Sequence, residues 1–465
     1  MNETLLTALE EISDRHILEA AAPRRRKTRL WVRSAAAVLA AAMLLVLFRP
    51  ESLTASAGEL VAAGEYTPAE RPQQEDYADM DAYFTALDAY RSQQSTEAAL
   101  ARDAMEDLMP FWADSFRVFL DDSQNSLWSP VNSYLSLTIM AQLSSGSTRQ
   151  EILDALGAES MQELQSDARR IWQQVWTETE QTQRHLASSV WLDESLSYDT
   201  KNLQVLGQEL YTSVHLTDLN SPEGSEKIRT WMDLQTDGLL KGLSPAAAAE
   251  NGDRVLTLAA TAYVSETWRE NFDPERSRTG VFHAAGGDVD CTFMNADMDS
   301  TDYARGENYT AVALPTNDGG RFFLILPDEG TTVAELLESG EYLQTLFDPD
   351  LKGQQVILSM PKFDITASTD LKDDLQELGI QRAFSFTGDF SGTLGSSLQP
   401  VCVADAVQTA RITVNETGIR AGSGEFWDLI SKSAAQPVRV TLDRPFLFVL
   451  MLDSIPLYAG VVAEP

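Results

Sequence analysis

Residues able to do chemistry are present but do not converge. The four histidines, His16, His185, His215 and His283, stand far apart with no metal-ligand spacing, so each reads as an ordinary surface or core histidine. No Gly-x-Ser-x-Gly elbow occurs, which removes the usual signature of a serine hydrolase. Gly422-Ser423-Gly424 opens like a dinucleotide-binding loop but lacks its third glycine and the following helix. Carboxylates are so frequent that no pair stands out, and Asp288-Val289-Asp290 and Asp297-Met298-Asp299 read as solvated turns. No enzymatic activity, metal or cofactor is expected.

The chemistry that remains is recognition by another molecule. Val414 to Phe446 joins two strand-like runs, and loops this long are usually functional or disordered. Ala421-Gly422-Ser423-Gly424 is near-naked backbone, suited to a hinge or to a place where side chains do not fit. Phe426, Trp427, Leu429 and Ile430 follow, then Lys432. Exposed apolar residues in a loop point to a partner. The plainer reading is a mobile hairpin connection.

The elements that must position this loop come from a long, acidic chain. It has 465 residues, a formal charge of −35, 43% hydrophobic residues and nine tryptophans. That is enough to bury a large core. The charge argues against a nucleic-acid partner, because phosphate binding needs clustered Lys and Arg. Cys291 and Cys402 are the only cysteines, too few for a disulfide framework; free thiols are expected.

Residues 1–29 form a polar segment with a basic cluster, Arg24, Arg25, Arg26, Lys27 and Arg29. Leu30 to Phe48 is apolar apart from Arg33 and Ser34, long enough for one transmembrane signal-anchor helix (30–48) with its N-terminus in the cytoplasm and the rest extracellular. The rival is a signal peptide cleaved near Ala57, after which the chain is secreted. Residues 49–98 read as an acidic stalk with helical pieces near Tyr83 to Tyr90. The globular part, 99–465, begins with Met105, Leu108, Phe111, Trp112, Phe116 and Phe119 at helical spacing.

Asn132 to Ala141 and Thr148 to Leu156 read as further helices, the second stopped at Gly157. Helical stretches at Ser225 to Leu234 and Leu371 to Leu378 lie among later strands: Val255 to Val264, Phe322 to Leu326, Val356 to Ser359, Ala406 to Val414, Val438 to Leu442 and Phe446 to Leu452. Helices first and strands later predict one mixed α+β body rather than βαβ repeats.

Three blocks, in order, resemble the serpin family. The first is Asn125-Ser126-Leu127-Trp128-Ser129-Pro130-Val131-Asn132-Ser133, followed by Gly146-Ser147-Thr148. The second is Tyr263-Val264-Ser265-Glu266-Thr267-Trp268-Arg269-Glu270-Asn271-Phe272-Asp273-Pro274. The third runs from Met360-Pro361-Lys362-Phe363 through Phe390-Ser391-Gly392 and Val414-Asn415-Glu416-Thr417-Gly418 to Asp443-Arg444-Pro445-Phe446-Leu447-Phe448 and Gly460. With the apolar N-terminal segment, the chain resembles a bacterial, membrane-anchored member. The resemblance implies three β-sheets with eight or nine helices, an exposed reactive-centre loop at about 416–437, a monomer, and suicide-substrate inhibition. A serine protease cuts the loop and is acylated by it, and the cut loop inserts into a sheet before deacylation.

On that resemblance Glu416, Thr417, Gly418, Ile419, Ala421, Gly422, Ser423 and Gly424 form the hinge. Counting forward from Glu416 puts the reactive bond at Lys432–Ser433, which implies a trypsin-like target. Counting back from Asp443 favours Ala434. Inserted as a strand, Ile419, Ala421, Ser423, Glu425 and Trp427 face inward, and burial of an unpaired Glu425 costs several kcal/mol. The rival is a non-inhibitory surface protein, a binding module or mere substrate. In the sheet-opening region Ser129 stands at the first family serine and Asn132 replaces the second. Ala260 stands for the usual asparagine and Gln408 for the usual histidine. Asn132 is expected to supply the amide lost at Ala260 with Gln408 as partner, the alternative being a weaker network. Trp268 and the pair Lys362 with Glu416 are retained where loop entry begins.

Overall fold

The computed structural model describes residues 59–62, 66, 69, 71–179, 181–241, 254–348, 351–395, 400–404, 406–419 and 437–465. Segments 1–29 and 30–48 lie outside the described residues, as do Ala421, Gly422, Ser423, Gly424, Glu425, Lys432 and Ser433. Among the described residues no helix is long and apolar enough to cross a membrane. The chain divides into Met1–Ser56 and Ala57–Pro465, and the fold is that of the second unit.

Helical periodicity early in this unit becomes α1 (Met80–Asp107), α2 (Met109–Phe119), α3 (Pro130–Leu143), α4 (Gly146–Ala155) and α5 (Met161–Val175). In α2, Phe111, Trp112, Phe116 and Phe119 form one buried face. α3 has no polar face. Pro130 starts it, and twelve of its residues, from Pro130 to Leu143, are buried, so it runs through the core rather than along the surface. Two more full helices follow, α6 (Thr200–Leu210) and α7 (Pro222–Gln235). Four short ones complete the set: α8 (Val333–Ser339), α9 (Tyr342–Leu346), α10 (Lys372–Glu377) and α11 (Ser391–Leu394).

An eight-stranded sheet has the order β1 (Glu59–Ala62), β5 (Thr212–Thr217), β4 (Thr182–Asp193), β6 (Leu256–Thr267), β14 (Gly418–Ile419), β13 (Val407–Asn415) and β12 (Phe363–Asp370), with β3 (Thr177–Glu178) on β4. A nine-stranded sheet runs β15 (Val438–Thr441), β11 (Lys352–Pro361), β8 (Gly287–Arg305), β9 (Tyr309–Pro315), β10 (Gly320–Pro327), β16 (Phe446–Leu452), β17 (Ile455–Val462) and β2 (Ser126–Trp128), with β7 (Arg278–Ala284) on β8. β16 and β17 are buried throughout, as strands covered on both faces must be.

The α+β class holds, with three differences from expectation. Among the described residues there are two sheets rather than three, because β8 pairs with β11 along Phe293–Tyr303 and continues onto β9 through Asp302–Arg305, fusing two ladders. Eleven helical segments replace eight or nine because short turns of helix are counted with the long ones. The aspartates at 288, 290, 297 and 299 lie within β8 rather than in turns: Asp288, Asp290 and Asp297 are exposed while Phe293, Met294 and Met298 are buried, a one-sided strand.

Described parts of the acidic segment 49–98 belong to this same unit. β1 adds to the edge at β5. Tyr66 packs edge-on against Trp172, Trp176 and Tyr211, with centroids 5.2, 5.8 and 5.4 Å apart. α1 begins inside it at Met80. Cys291 and Cys402 are free thiols.

The eight-stranded sheet has two buried faces. On one, Trp191, Ala259 and the α7 residues Ile228 and Trp231 form a small cluster with Leu219. On the other, Val264, Ala410, Ile412, Val414 and Ile419 join the main core around α3. Even-numbered β13 residues therefore point inward, as the alternation Gln408, Ala410, Ile412, Val414 shows.

His215 stacks on Trp191, centroids 4.5 Å apart, and burial pulls its imidazole down to about 4. The unfolded chain then binds a proton the folded one refuses, so stability present above the ordinary histidine range is lost as pH falls toward 4. His215→Phe is expected to flatten the fall in denaturant midpoint between pH 6.5 and 4, a range set by the ordinary and folded values. An unchanged slope assigns the acid sensitivity to other groups.

Candidate functional site

β13 turns back into β14 through two residues, Glu416 and Thr417, with Asn415 opposite Gly418 and Val414 opposite Ile419. Asn415 Oδ1 accepts from Thr417 N at 3.0 Å and Thr417 Oγ1 at 2.8 Å, which fixes the turn. Gly418 has φ +151°, and a Cβ there would sit 2.2 Å from the Glu266 carbonyl oxygen, so only glycine fits against β6.

Trp268 closes the other side. Its backbone N–H donates to Thr417 O at 3.2 Å and its indole Nε1–H to Asn415 O at 2.8 Å, while Phe272 N–H donates to Glu416 O at 2.9 Å. The Glu416 carboxylate contacts Lys362 Nζ and accepts from Ser277 Oγ at 2.8 Å. Burial pushes its pKa up, but the Lys362 and Ser277 hydrogen bonds outweigh this and hold it below the ordinary range. Opposite Ile419, Glu266 is fully buried and paired with Arg184 at 2.7 Å. Burial raises its carboxyl despite that partner.

Further along the sheet, β6 and β13 are not hydrogen-bonded neighbours; β14 alone lies between them among the described residues. α3 passes beneath. Ser129, Asn132 and Ser133 share one face of its first turn, as spacings of three and four residues require. Ser129 Oγ donates to Leu457 O at 2.7 Å, and Ser129 N–H donates to Gln408 Oε1 at 2.6 Å. Gln408 Nε2 donates at 3.3 Å to Ser129 O and 3.2 Å to Ser133 Oγ. Ser133 Oγ also accepts from Trp128 Nε1 at 2.7 Å. Asn132 Nδ2 donates to the Ala260 carbonyl at 3.4 Å, and the Tyr458 hydroxyl to the Ala262 carbonyl.

Of the sequence-predicted residues, Glu416, Thr417, Gly418, Trp268 and Lys362 meet at the turn. Ser129, Asn132 and Gln408 meet over α3, with Ile419 buried in the core between strands. Asn132 does place its amide at Ala260, but the partners of Gln408 are Ser129 and Ser133 rather than Asn132. Ser133, Trp128, Ser277, Asn415 and Tyr458 are site residues that the sequence does not single out. The i, i+4 step from Ser129 to Ser133 is a usable signal for one; the others are brought in by tertiary packing.

A family model described as Serpin (serine protease inhibitor) matches residues 110–465. The chain belongs to the serpin family. Serpin-Z1C of Triticum aestivum is 25% identical over 367 residues, covering 74% of this chain and 90% of that one. Among solved structures, the thermophilic serpin tengpin in its native state aligns with a TM-score of 0.69 at 22% identity, over 78% of this chain and 94% of that one. Human thyroxine-binding globulin, solved with its hormone, aligns with a TM-score of 0.70 at 20% identity, over 79% and 99%. These two show the fold. Serpins are generally protease inhibitors rather than enzymes, and act on target proteases.

Lys362→Met removes the cation at Glu416. The folded carboxyl of Glu416 is held low, so the pair stabilises above the ordinary glutamate range and the contribution is lost as pH falls through the folded value. The partly exposed pair is worth about 1 kcal/mol or less. Denaturant midpoints of the two proteins are expected to differ at neutral pH and to converge in acid; a difference constant with pH removes Glu416 from the account.

Proposed function

We propose that this serpin inhibits a serine protease by offering its loop as substrate and then inserting the cut loop as a strand. The protease serine hydroxyl adds to the carbonyl of Lys432, the Lys432–Ser433 amide breaks, the Ser433 amine leaves protonated, and an ester links protease and inhibitor. Water completes the reaction only if the ester stays in a working active site. Insertion drags the protease away first.

The observation that carries this reading is β14. Two residues past the turn already ladder with β6 on one side and β13 on the other, and below them those strands leave each other unpaired among the described residues. A strand continued from Ile419 has both partners waiting. A lysine at the cut position suits a specificity pocket that carries a carboxylate, hence a trypsin-like target. We further propose that Leu30 to Phe48 anchors a monomeric serpin domain outside a bacterial cell membrane, the alternative being release after cleavage near Ala57.

The second reading is a serpin cleaved without trapping, a surface substrate or binding module. Glu425 favours it, since an inward carboxylate slows insertion and slow insertion frees the protease.

Incubation of the ectodomain with trypsin, followed by a denaturing gel, tests the choice. A heat-stable covalent band is expected. Clean cleavage after Lys432 without that band gives the second reading. Lys432→Ala is expected to abolish the band while leaving the unfolding midpoint unchanged; persistence of the band moves the reactive bond toward Ala434.

A further inference from the structure

The described strands set the positions an inserted loop would take. Ile419 lies opposite Glu266 on β6 and Val414 on β13. β6 runs without a register shift against β4 from Glu266 to Leu256, and β13 without one against β12. Carried six residues on (419 + 6, 266 − 6, 414 − 6), the same register puts Glu425 between Ala260 and Gln408. All three positions share the inward face, toward α3.

The phase of the ladder is also fixed. Trp268 N–H donates to Thr417 O, so the pairs that exchange both backbone bonds are Trp268 with Thr417, Glu266 with Ile419, and then every second residue down β6. Ala262 and Ala260 fall in that set. Their carbonyls are the acceptors that Ser423 and Glu425 would use. At present they accept instead from Tyr458 and Asn132.

Insertion therefore releases an amide where a carboxylate arrives. The Glu425 N–H takes the Ala260 carbonyl, and Asn132 Nδ2 loses its acceptor directly beneath the Glu425 side chain. Gln408 Nε2, with long bonds of 3.2 and 3.3 Å, stands on the opposite strand at the same level. Ala260 has only a methyl there, which leaves room for the longer side chain. We propose that Asn132 and Gln408 form a receiving site for a carboxylate, that of Glu425 on this chain's own loop. Charge-assisted bonds from two amides are stronger than the neutral ones they replace, so an inward Glu425 becomes compatible with the inserted state.

This inference rests on the insertion reading, and the test separates the two. Intact and loop-cleaved forms of wild type, Glu425→Thr, Asn132→Ala and the double variant are compared by unfolding midpoint. Cleaved wild type is expected to be more stable than intact. Asn132→Ala is expected to lower the cleaved midpoint by several degrees more than the intact one, and Glu425→Thr to remove that excess. Where Asn132→Ala fails to fold, Gln408→Met takes its place with the same expectation. Cleavage without stabilisation overturns the insertion reading and the receiving site with it. Stabilisation with additive effects of positions 132 and 425 overturns the receiving site alone.

Discussion

Backbone amides and carbonyls buried in a sheet need partners, and this requirement governs the region between β6 and β13. An unpaired buried carbonyl costs on the order of 1–3 kcal/mol. Two β6 carbonyls without a strand beside them, those of Ala260 and Ala262, are served by side chains from beneath, Asn132 of α3 and Tyr458 of β17. The deeply buried α3, the two fully buried strands and the core they share put those side chains within reach. A loose α3 could not hold them.

The turn at Glu416–Thr417 is rigid for a related reason. Gly418 approaches the Glu266 carbonyl so closely that a side chain is excluded, and Trp268 commits both its N–H groups to the turn. Register is set there, and since side chains alternate, a slip of one residue would turn Glu425 and every inward residue outward. The buried Arg184–Glu266 pair lies against this point. Such a pair is weak evidence for stability but costly to break, so it resists distortion of β6 just where a new strand must first align. The Lys362–Glu416 contact, more exposed, is too weak to set the fold's stability and acts on the turn alone.

Strands with clean alternation or continuous apolar character are legible in the sequence. The unbroken apolar run Phe446–Leu452, flanked by turn residues, has the bounds that its composition predicts, and Val438, Val407 and Leu256 begin strands within a residue of expectation. β4 and β5 are not legible, because Arg184, His185 and His215 interrupt their apolar pattern and only the folded structure supplies Glu266 and Trp191 as partners. β8 is deceptive because its aspartates face solvent on a strand whose other face is core. The site is legible in part for the same reason: residues local to one turn, such as Glu416 to Gly418, announce themselves, whereas Tyr458 and Ser277 matter only through contacts distant in sequence.

Strand entry at this slot is an exchange rather than a simple gain. Each side-chain bond to a β6 carbonyl is given up before a backbone bond replaces it, so the ends of the process are well bonded while the middle is not. The barrier thus contains the cost of carbonyls left momentarily bare, on the order of 1–3 kcal/mol each. The final state gains a ladder on two sides at once. That asymmetry lets the uncleaved form persist by its barrier although a more stable arrangement exists. It also explains how one residue can serve both states: Asn132 stands in for the strand while the slot is empty, and its amide is free for a new acceptor once the strand has come.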